Sequence, residues 1–198
     1  MRPAQQRRAD VAEERAAFAR MQPTIEAERV VFVDESGIEQ GMRCRYGYAP
    51  RTARCVEHAP FRVGRRTSLL GWVGLRGGRV VPFSGTVDGG VFARFVEHYL
   101  VPYVQVGDVV VWDNARIHTP EAVALVEAVG ARVVFQPRYS PEVNAVEQAW
   151  SKVKARVRRC RADSAEALSE ALREAVESLT SEDVAGWMRQ CGYTTQRE

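Results

Sequence analysis

Cysteine is scarce in this chain, and its spacing argues against the sites that depend on it. The 198 residues include only four cysteines and three histidines. The cysteines lie far apart and form no C-x-x-C pair; they are Cys44, Cys55, Cys160 and Cys191. Neither a disulfide framework nor a cysteine-based zinc site is indicated, so we expect free thiols in a reducing compartment.

Long apolar runs are also absent. No stretch approaches the ~18–20 apolar residues that are needed to cross a membrane. The first residues, MRPAQQRRADVAEERAAFAR, lack the apolar core of a signal peptide. We therefore expect a cytoplasmic protein without a membrane partner.

A strong net charge is absent as well, because 28 basic and 25 acidic residues leave only +3. The charge is nevertheless uneven along the chain. Residues 43–66 contain seven arginines and one acid, residues 152–161 contain six basic residues and no acid, and residues 162–183 contain seven acids and one arginine. The basic segments suit a phosphate backbone, but solvated helix and loop faces have the same composition.

The first part of the chain predicts a helix followed by antiparallel strands. Residues 1–28 are expected to form an N-terminal helix, near 10–20, and a linker, separate from a larger domain at 29–198. RVVFV (29–33) predicts a buried strand that ends at Asp34, with a turn at Ser36 and Gly37. Further strands are predicted at 43–48, 67–74 and 79–86. A hairpin turn is predicted at 74–78, between the last two of them.

From Asp88 onwards the pattern alternates between helices and strands. VVVW (109–112) is apolar on both faces, as expected of a strand covered by helices on both sides of a sheet. Other elements are predicted at 92–100 (helix), 120–129 (helix), 131–135 (strand), 144–160 (helix) and 164–179 (helix). The order indicates an α/β fold with a mixed sheet, antiparallel at one side and parallel at the other, flanked by helices.

Three carboxylates stand at the ends of these elements. Asp34 and Asp113 each follow a strand, and their side chains should project from one sheet edge if the strands are neighbours. Two close carboxylates repel each other unless a cation lies between them, and hard oxygen ligands suit Mg²⁺ or Mn²⁺. Each aspartate could instead only begin a turn. Glu147, with Asn144, could instead form a capping box at a helix start.

Five segments, taken together, resemble one protein family. They are VFVDESG (31–37), RYGYAPR (45–51), GTVDGGVF (85–92), VVVWDNARIH (109–118) and QPRYSPEVNAVEQAWSKVK (136–154). In order and spacing they resemble the catalytic domain of bacterial insertion-sequence transposases related to the mariner group, which are DDE superfamily endonucleases. The resemblance covers roughly residues 29–158, and the Tyr-Ser-Pro-x-x-Asn-x-x-Glu element is its most specific part.

The resemblance implies a ribonuclease-H-like (retroviral-integrase-like) five-stranded mixed sheet and a catalytic, metal-binding triad of Asp34, Asp113 and Glu147. It implies two Mg²⁺ or Mn²⁺ ions, which could activate a water or a 3′-hydroxyl and stabilise the leaving oxygen of a phosphodiester. DNA would be the partner, both as element ends and as target. A homodimer or synaptic complex is also implied.

Two departures from the family pattern concern the loop before Glu147, because Arg138 and Ala145 stand where proline is usual. The absence of these two prolines is expected to loosen the loop without removing a ligand. Family members also carry N-terminal helix-turn-helix modules that residues 1–28 cannot hold. We therefore expect an excised catalytic domain or the second product of a split reading frame, with the recognition modules on a separate upstream product.

Several residues near the three carboxylates are candidates for accessory roles. Glu35 could be a ligand, although it should face away from Asp34 if the strand continues. Asn114 and His118 lie beside Asp113; His118 could contact a phosphate or a metal-bound water, or could only form a loop-to-helix hydrogen bond. Trp150 is expected in the core rather than as a platform for DNA bases. Candidate DNA contacts are Arg138, Lys152, Lys154, Arg156, Arg158 and Arg159.

Two other functions fit the same residues. A non-catalytic DNA-binding or assembly module would bind DNA in EDTA and would not cleave it. A nuclease or resolvase of the same fold would cut DNA without joining it. One further expectation concerns Asp113: because like charges repel, Asp113→Asn should leave the metal-free protein as stable as before, or slightly more stable.

Overall fold

A five-stranded mixed sheet forms the centre of the molecule, with the strand order β3-β2-β1-β4-β5. The computed structural model describes residues 6, 8–44, 46–56, 58, 64 and 66–194. The strands are β1 Val30–Glu39, β2 Arg66–Gly74, β3 Gly77–Ser84, β4 Val109–Trp112 and β5 Arg132–Phe135. β1, β2 and β3 pair antiparallel, whereas β4 pairs parallel with both β1 and β5. The predicted mixed sheet and the predicted hairpin between β2 and β3 are confirmed.

Six α-helices accompany the sheet in the described part of the chain. They are α1 Ala9–Met21, α2 Gly89–Phe95, α3 Pro120–Ala128, α4 Ala145–Cys160, α5 Ala165–Glu177 and α6 Ser181–Gln190. α2 continues into a π-helical turn, Val96–Leu100, and Pro102 follows it. Short 3₁₀ turns lie at Gln22–Thr24, Ala27–Arg29 and Pro141–Val143. Within the described residues, no helix is both long and apolar enough to span a bilayer.

The first strand is longer than its sequence predicts. Ser36 and Gly37 do not form a turn, because they pair with Leu69 and Ser68 of β2 and so lie inside β1. The strand predicted at 43–48 is wrong for its described residues, which have no regular structure; residue 45 lies outside the described part. Asp34 is therefore an interior residue of a strand and not its last residue.

Two hydrophobic layers cover the two faces of the sheet. Side chains alternate along a strand, so Phe32 lies in one layer and Val31 and Val33 in the other. The first layer contains buried residues of α4, α5 and α6, and the second contains residues of α2 and α3. All four residues of β4 are buried, as the VVVW run predicts for a strand covered on both faces.

Side-chain caps fix the starts of α2, α3 and α4. Asp88 accepts a hydrogen bond from the Val91 backbone at 2.8 Å, and Thr119 caps α3 with Pro120 in its first turn. Asn144 caps α4 by accepting from the Val146 backbone at 3.2 Å. These caps fix where α4 begins, and with it the position of Glu147 in the first turn.

Candidate active site

The register of the central strands brings two aspartates to the same level. Phe32 of β1 lies beside Val111 of β4. Two residues further along each parallel strand stand Asp34 and Asp113, on the sheet face that α4 covers. The expectation that these strands are neighbours is confirmed, although only Asp113 follows the end of its strand.

Asp34 is the most strongly perturbed carboxyl group of the site. Burial, together with the negative charges of Glu147 and Asp113, raises its pKa from 3.8 to about 7. Trp150 of α4 opposes this shift, because its indole N–H donates to Asp34 Oδ2 at 3.0 Å. The bond occupies one carboxylate oxygen and ties α4 to β1.

A glycine on the neighbouring strand makes room for this contact. Gly71 pairs with Asp34 across β1 and β2. A Cβ at Gly71 would lie 2.7 Å from Cη2 of Trp150, which is closer than van der Waals contact allows. The absence of a side chain at Gly71 therefore lets the indole ring lie against the sheet with its N–H directed at Asp34.

Asp113 has the opposite electrostatic environment. Its Oδ1 accepts from the Ala115 backbone at 2.8 Å and lies 3.1 Å from His118 Nδ1. The hydrogen bond from His118 holds the pKa of Asp113 below its usual value, despite partial burial. The ionised form of Asp113 is therefore stabilised by its own loop. The expectation that Asp113→Asn would not destabilise the metal-free protein is not supported, and the argument from repulsion applies to Asp34 instead.

Glu147 lies in the first turn of α4, at the rim of an open cleft. The Asn144 backbone N–H donates to the Pro141 carbonyl, so Glu147 does not make the reciprocal bond of a capping box. Partial desolvation of its carboxyl group and the charge of Asp113 raise the pKa of Glu147, while the Lys154 ammonium lowers it. Asp113 and Glu147 both line the cleft, which has a volume of about 410 Å³.

The donor set suits a hard divalent cation. Asp34, Asp113 and Glu147 offer only carboxylate oxygens and influence each other's ionisation. Among the described residues, however, no three His, Cys, Asp or Glu side chains are arranged closely enough to hold a metal ion. Carboxylates close together repel one another unless a cation offsets their charge. The residues fit the chemistry of Mg²⁺ or Mn²⁺.

The three accessory candidates lie near the site in different ways. Asn114 donates to the Gln136 carbonyl at 2.9 Å and so joins the ends of β4 and β5. The His118 side chain is 1% exposed. Its Nδ1 lies 2.7 Å from the Asp113 carbonyl oxygen, which can only accept, so Nδ1 carries a proton. Its Nε2 faces Glu35 Oε1 at 3.9 Å. Glu35 itself projects to the sheet face opposite Asp34.

Some of the candidate DNA-binding residues form ion pairs within the protein, and others do not take part in the ion pairs described below. Lys152 donates to the Ser178 carbonyl and pairs with Asp183 of α6, and Arg138 pairs with acids of α1. Lys154 and Arg158 follow Glu147 at helical spacing on one face of α4, and both are half-buried. Arg156 and Arg159 are exposed on the same helix.

Two features of the site have no signal in the sequence. Trp150 contacts Asp34 from 116 positions away, and Arg138 contacts Glu14 from 124 positions away. Trp150 is buried, as expected of a core residue, but its N–H also orients a candidate catalytic carboxylate. Periodicity and motif spacing describe single elements and cannot reveal such contacts between them.

Comparisons with known proteins place this geometry in a family. A family model described as DDE superfamily endonuclease matches residues 29–169. No curated protein matches the chain. A Mos1 transposase paired-end complex with left transposon end is 18% identical with a TM-score of 0.72, covering 93% of this chain and 60% of that one. A crystal structure of the catalytic domain of Mos1 mariner transposase is 15% identical with a TM-score of 0.62, covering 96% and 89%.

These structural similarities establish the ribonuclease-H-like fold that the sequence implies. A third match, the Mos1 mariner paired end complex with Mn, is 17% identical with a TM-score of 0.66, covering 96% of this chain and 60% of that one. The chain thus spans about 60% of the length of the transposase chains in the two paired-end complexes. With a sheet of this topology and a family model that matches most of its length, the chain belongs to the DDE superfamily endonucleases.

Proposed function

We propose that this chain is the catalytic domain of a DDE transposase, which cleaves DNA phosphodiester bonds and transfers strands at the ends of an insertion sequence. One observation carries the proposal: β1, β4 and α4 carry three electrostatically coupled carboxylates on the same face of the sheet, in a chain of the DDE endonuclease family. Asp34, Asp113 and Glu147 are the proposed metal-binding and catalytic residues.

Two Mg²⁺ or Mn²⁺ ions held by these residues would supply Lewis-acid stabilisation of the attacking and leaving oxygens. Neighbouring groups of the protein set the orientation and ionisation of the three carboxylates. Trp150 donates to Asp34 Oδ2, and His118 with the Ala115 N–H favours the ionised form of Asp113. Lys154 favours the ionised form of Glu147. The open cleft beside Asp113 and Glu147 gives a DNA strand access to them.

DNA at the element ends and DNA at the target are the proposed substrates, acted on within a homodimer or larger synaptic complex. Support comes from similarity to Mos1 structures described as a paired-end complex with left transposon end and as a strand transfer complex. Domain boundaries of 1–28 and 29–198 remain our proposal.

Metal-dependent nicking is the direct test. Purified protein, incubated with supercoiled plasmid and with labelled element-end duplex, is expected to nick DNA in Mg²⁺ or Mn²⁺ and not in EDTA. Glu147→Gln should remove nicking, whereas Glu127→Gln, the same change on exposed α3, should retain it. Equal cleavage in EDTA would refute the metal mechanism, and DNA binding without any cleavage would favour the non-catalytic module. Cleavage without joined products would favour a nuclease or resolvase.

The half-buried basic residues of α4 give a second prediction. Lys154→Gln combined with Arg158→Gln should weaken DNA binding regardless of sequence, and should reduce the slope of log affinity against log salt by roughly 0.9 per contact removed. Lys152→Gln is the matched control, because Lys152 pairs with Asp183 and should leave that slope unchanged. Fluorescence anisotropy titrations at several salt concentrations make the comparison. An unchanged slope in the double variant would assign these residues to a solvated face.

A further inference from the structure

Helix α1 shares little of the hydrophobic core with the rest of the protein. Its two buried side chains, Val11 and Phe18, belong to neither of the layers that cover the sheet. Only Met21, at its end, packs against the layer that contains α4. The apolar contacts of α1 therefore lie mostly outside the two layers of the sheet, and polar contacts join the helix to the loop before α4.

Those polar contacts converge on one loop, residues 136–144, which joins β5 to α4. The Arg138 guanidinium donates to the Glu14 carboxylate at 2.7 and 3.1 Å and to Asp10 at 2.7 Å. Arg15 donates to Ser140 Oγ and pairs with Glu142 at 2.5 Å. Such paired and forked contacts to arginine are stronger and more directional than single ion pairs at a surface.

A third contact lies between these two. Gln6 donates to the Tyr139 carbonyl at 2.7 Å. Tyr139 has a φ of 56°, in the left-handed region that a side chain with a Cβ disfavours. The surrounding contacts must hold this residue in place, because its own backbone preference does not. Polar groups of α1, together with Gln6 three residues before it, thus bracket the strained position on both sides.

The same loop leads directly to the proposed catalytic glutamate. Ser140 is buried, Pro141–Val143 form a 3₁₀ turn, and Asn144 caps the helix whose first turn carries Glu147. The cleft that Glu147 lines is also lined by Arg138, Tyr139 and Ser140. A shift of this loop would move both the wall of the cleft and the start of α4.

We propose that α1 is a positioning element of the active site, which clamps the loop 136–144 and thereby places Glu147 for metal binding. The polar contacts of Glu14 with Arg138 and of Arg15 with Ser140 and Glu142 form the clamp. The role in catalysis rests on the proposed function, but the clamping of the loop does not. Arg138 is a positioning residue in this arrangement rather than a DNA contact, because its guanidinium already binds two carboxylates.

Glu14→Gln tests the clamp with little change of shape. The variant loses the charge that pairs with Arg138, and Glu13→Gln makes the same change at an exposed neighbour in the same helix. We expect Glu14→Gln to lower kcat for nicking about tenfold, with little change in DNA affinity, because a small misplacement of a catalytic group is sufficient. Glu13→Gln should match wild type in both.

Hydrogen exchange of the loop supplies a readout that does not depend on activity. Amides of residues 136–144 should exchange several-fold faster in Glu14→Gln than in Glu13→Gln, while amides of β4 remain unchanged. The double variant Glu14→Gln with Arg138→Gln should be no slower in nicking than either single variant, because both changes remove one interaction. Independent effects that multiply, with weakened DNA binding in Arg138→Gln, would assign Arg138 to DNA and overturn the proposal.

Two further results are decisive. Identical loop exchange in Glu14→Gln and Glu13→Gln would show that α1 does not hold the loop, and would overturn the clamp itself. If wild-type protein does not nick DNA under any metal condition, the proposed function fails. In that case the exchange data alone decide whether α1 holds the loop.

Discussion

Asp34→Asn is expected to lower metal-dependent nicking by at least about 10³-fold, because a proposed metal ligand is lost. The same variant should leave the metal-free protein as stable as wild type, or more stable, at neutral pH. The asparagine side chain keeps the shape of Asp34 and retains an oxygen that can accept the Trp150 N–H. Loss of activity with retained stability would separate a catalytic residue from a structural one.

The sign of the stability change follows from the pKa of Asp34. Burial raises this pKa from 3.8 to about 7, so folding favours the protonated acid. Such a group stabilises the fold most below pH 4, and the contribution is lost as pH rises towards 7. Three pKa units correspond to about 4 kcal/mol as an upper bound. Asparagine has no such dependence, so wild type should lose stability relative to Asp34→Asn between pH 5 and pH 8.

Urea unfolding of both proteins at pH 5 and pH 8 in EDTA measures this difference. Mn²⁺ should then raise the free energy of unfolding of wild type and have little effect on Asp34→Asn, since a ligand that binds only the native state stabilises it. A difference between the two proteins that stays constant with pH, or that grows in favour of wild type at pH 8, would contradict the assignment.

Asp113→Asn provides the opposite sign at the same site. The hydrogen bond from His118 lowers the pKa of Asp113, so its ionised form stabilises the fold at neutral pH, and this contribution is lost as pH falls through the lowered pKa. The variant should therefore be destabilised near pH 7, where Asp34→Asn is not. Both residues are aspartates, and the strands that carry them, β1 and β4, are neighbours. The opposite signs of their effects on stability therefore come from their surroundings.

The central elements of the fold could be predicted because their signals are local. VVVW is buried on both faces in the structure, and β4 has the predicted length. Four consecutive apolar residues followed by an aspartate define both the strand and its end. The turn expected at Ser36 and Gly37 did not form, because pairing with β2 extends β1 to Glu39. Propensity for a turn is weak compared with a complete antiparallel ladder.

Parts of the site were not predictable because they join distant segments. The sequence indicates a looser loop where Arg138 replaces the family's usual proline. In the structure, Arg138 is bound by Glu14 and Asp10 of a helix that the sequence shows only as charged. A charged residue in a sequence has no visible partner, so the same arginine appeared to be a DNA contact.

Trp150→Phe is expected to impair metal binding and nicking by roughly 10- to 100-fold, the usual range for loss of a group that orients a metal ligand. Phenylalanine keeps an aromatic ring against the sheet and removes the N–H that donates to Asp34 Oδ2. That hydrogen bond lowers the pKa of Asp34, so its loss should raise this pKa further. Less of Asp34 is then ionised at neutral pH. Because the ionised carboxylate binds the metal, nicking should increase with pH, and the midpoint of this increase should be more alkaline in Trp150→Phe than in wild type.

Trp72→Phe is the matched control, because Trp72 is also a buried tryptophan of the sheet region. It lies in the opposite layer, and its Nε1 has no hydrogen-bond partner among the described residues. Both variants remove the same atoms from a core, so both should lose stability, by about 1–3 kcal/mol. Only Trp150→Phe should also lose the Mn²⁺-induced rise in melting temperature and shift the pH profile of nicking. Equal metal responses in the two variants would show that Trp150 only fills the core, and that the orientation of Asp34 depends on the strand alone.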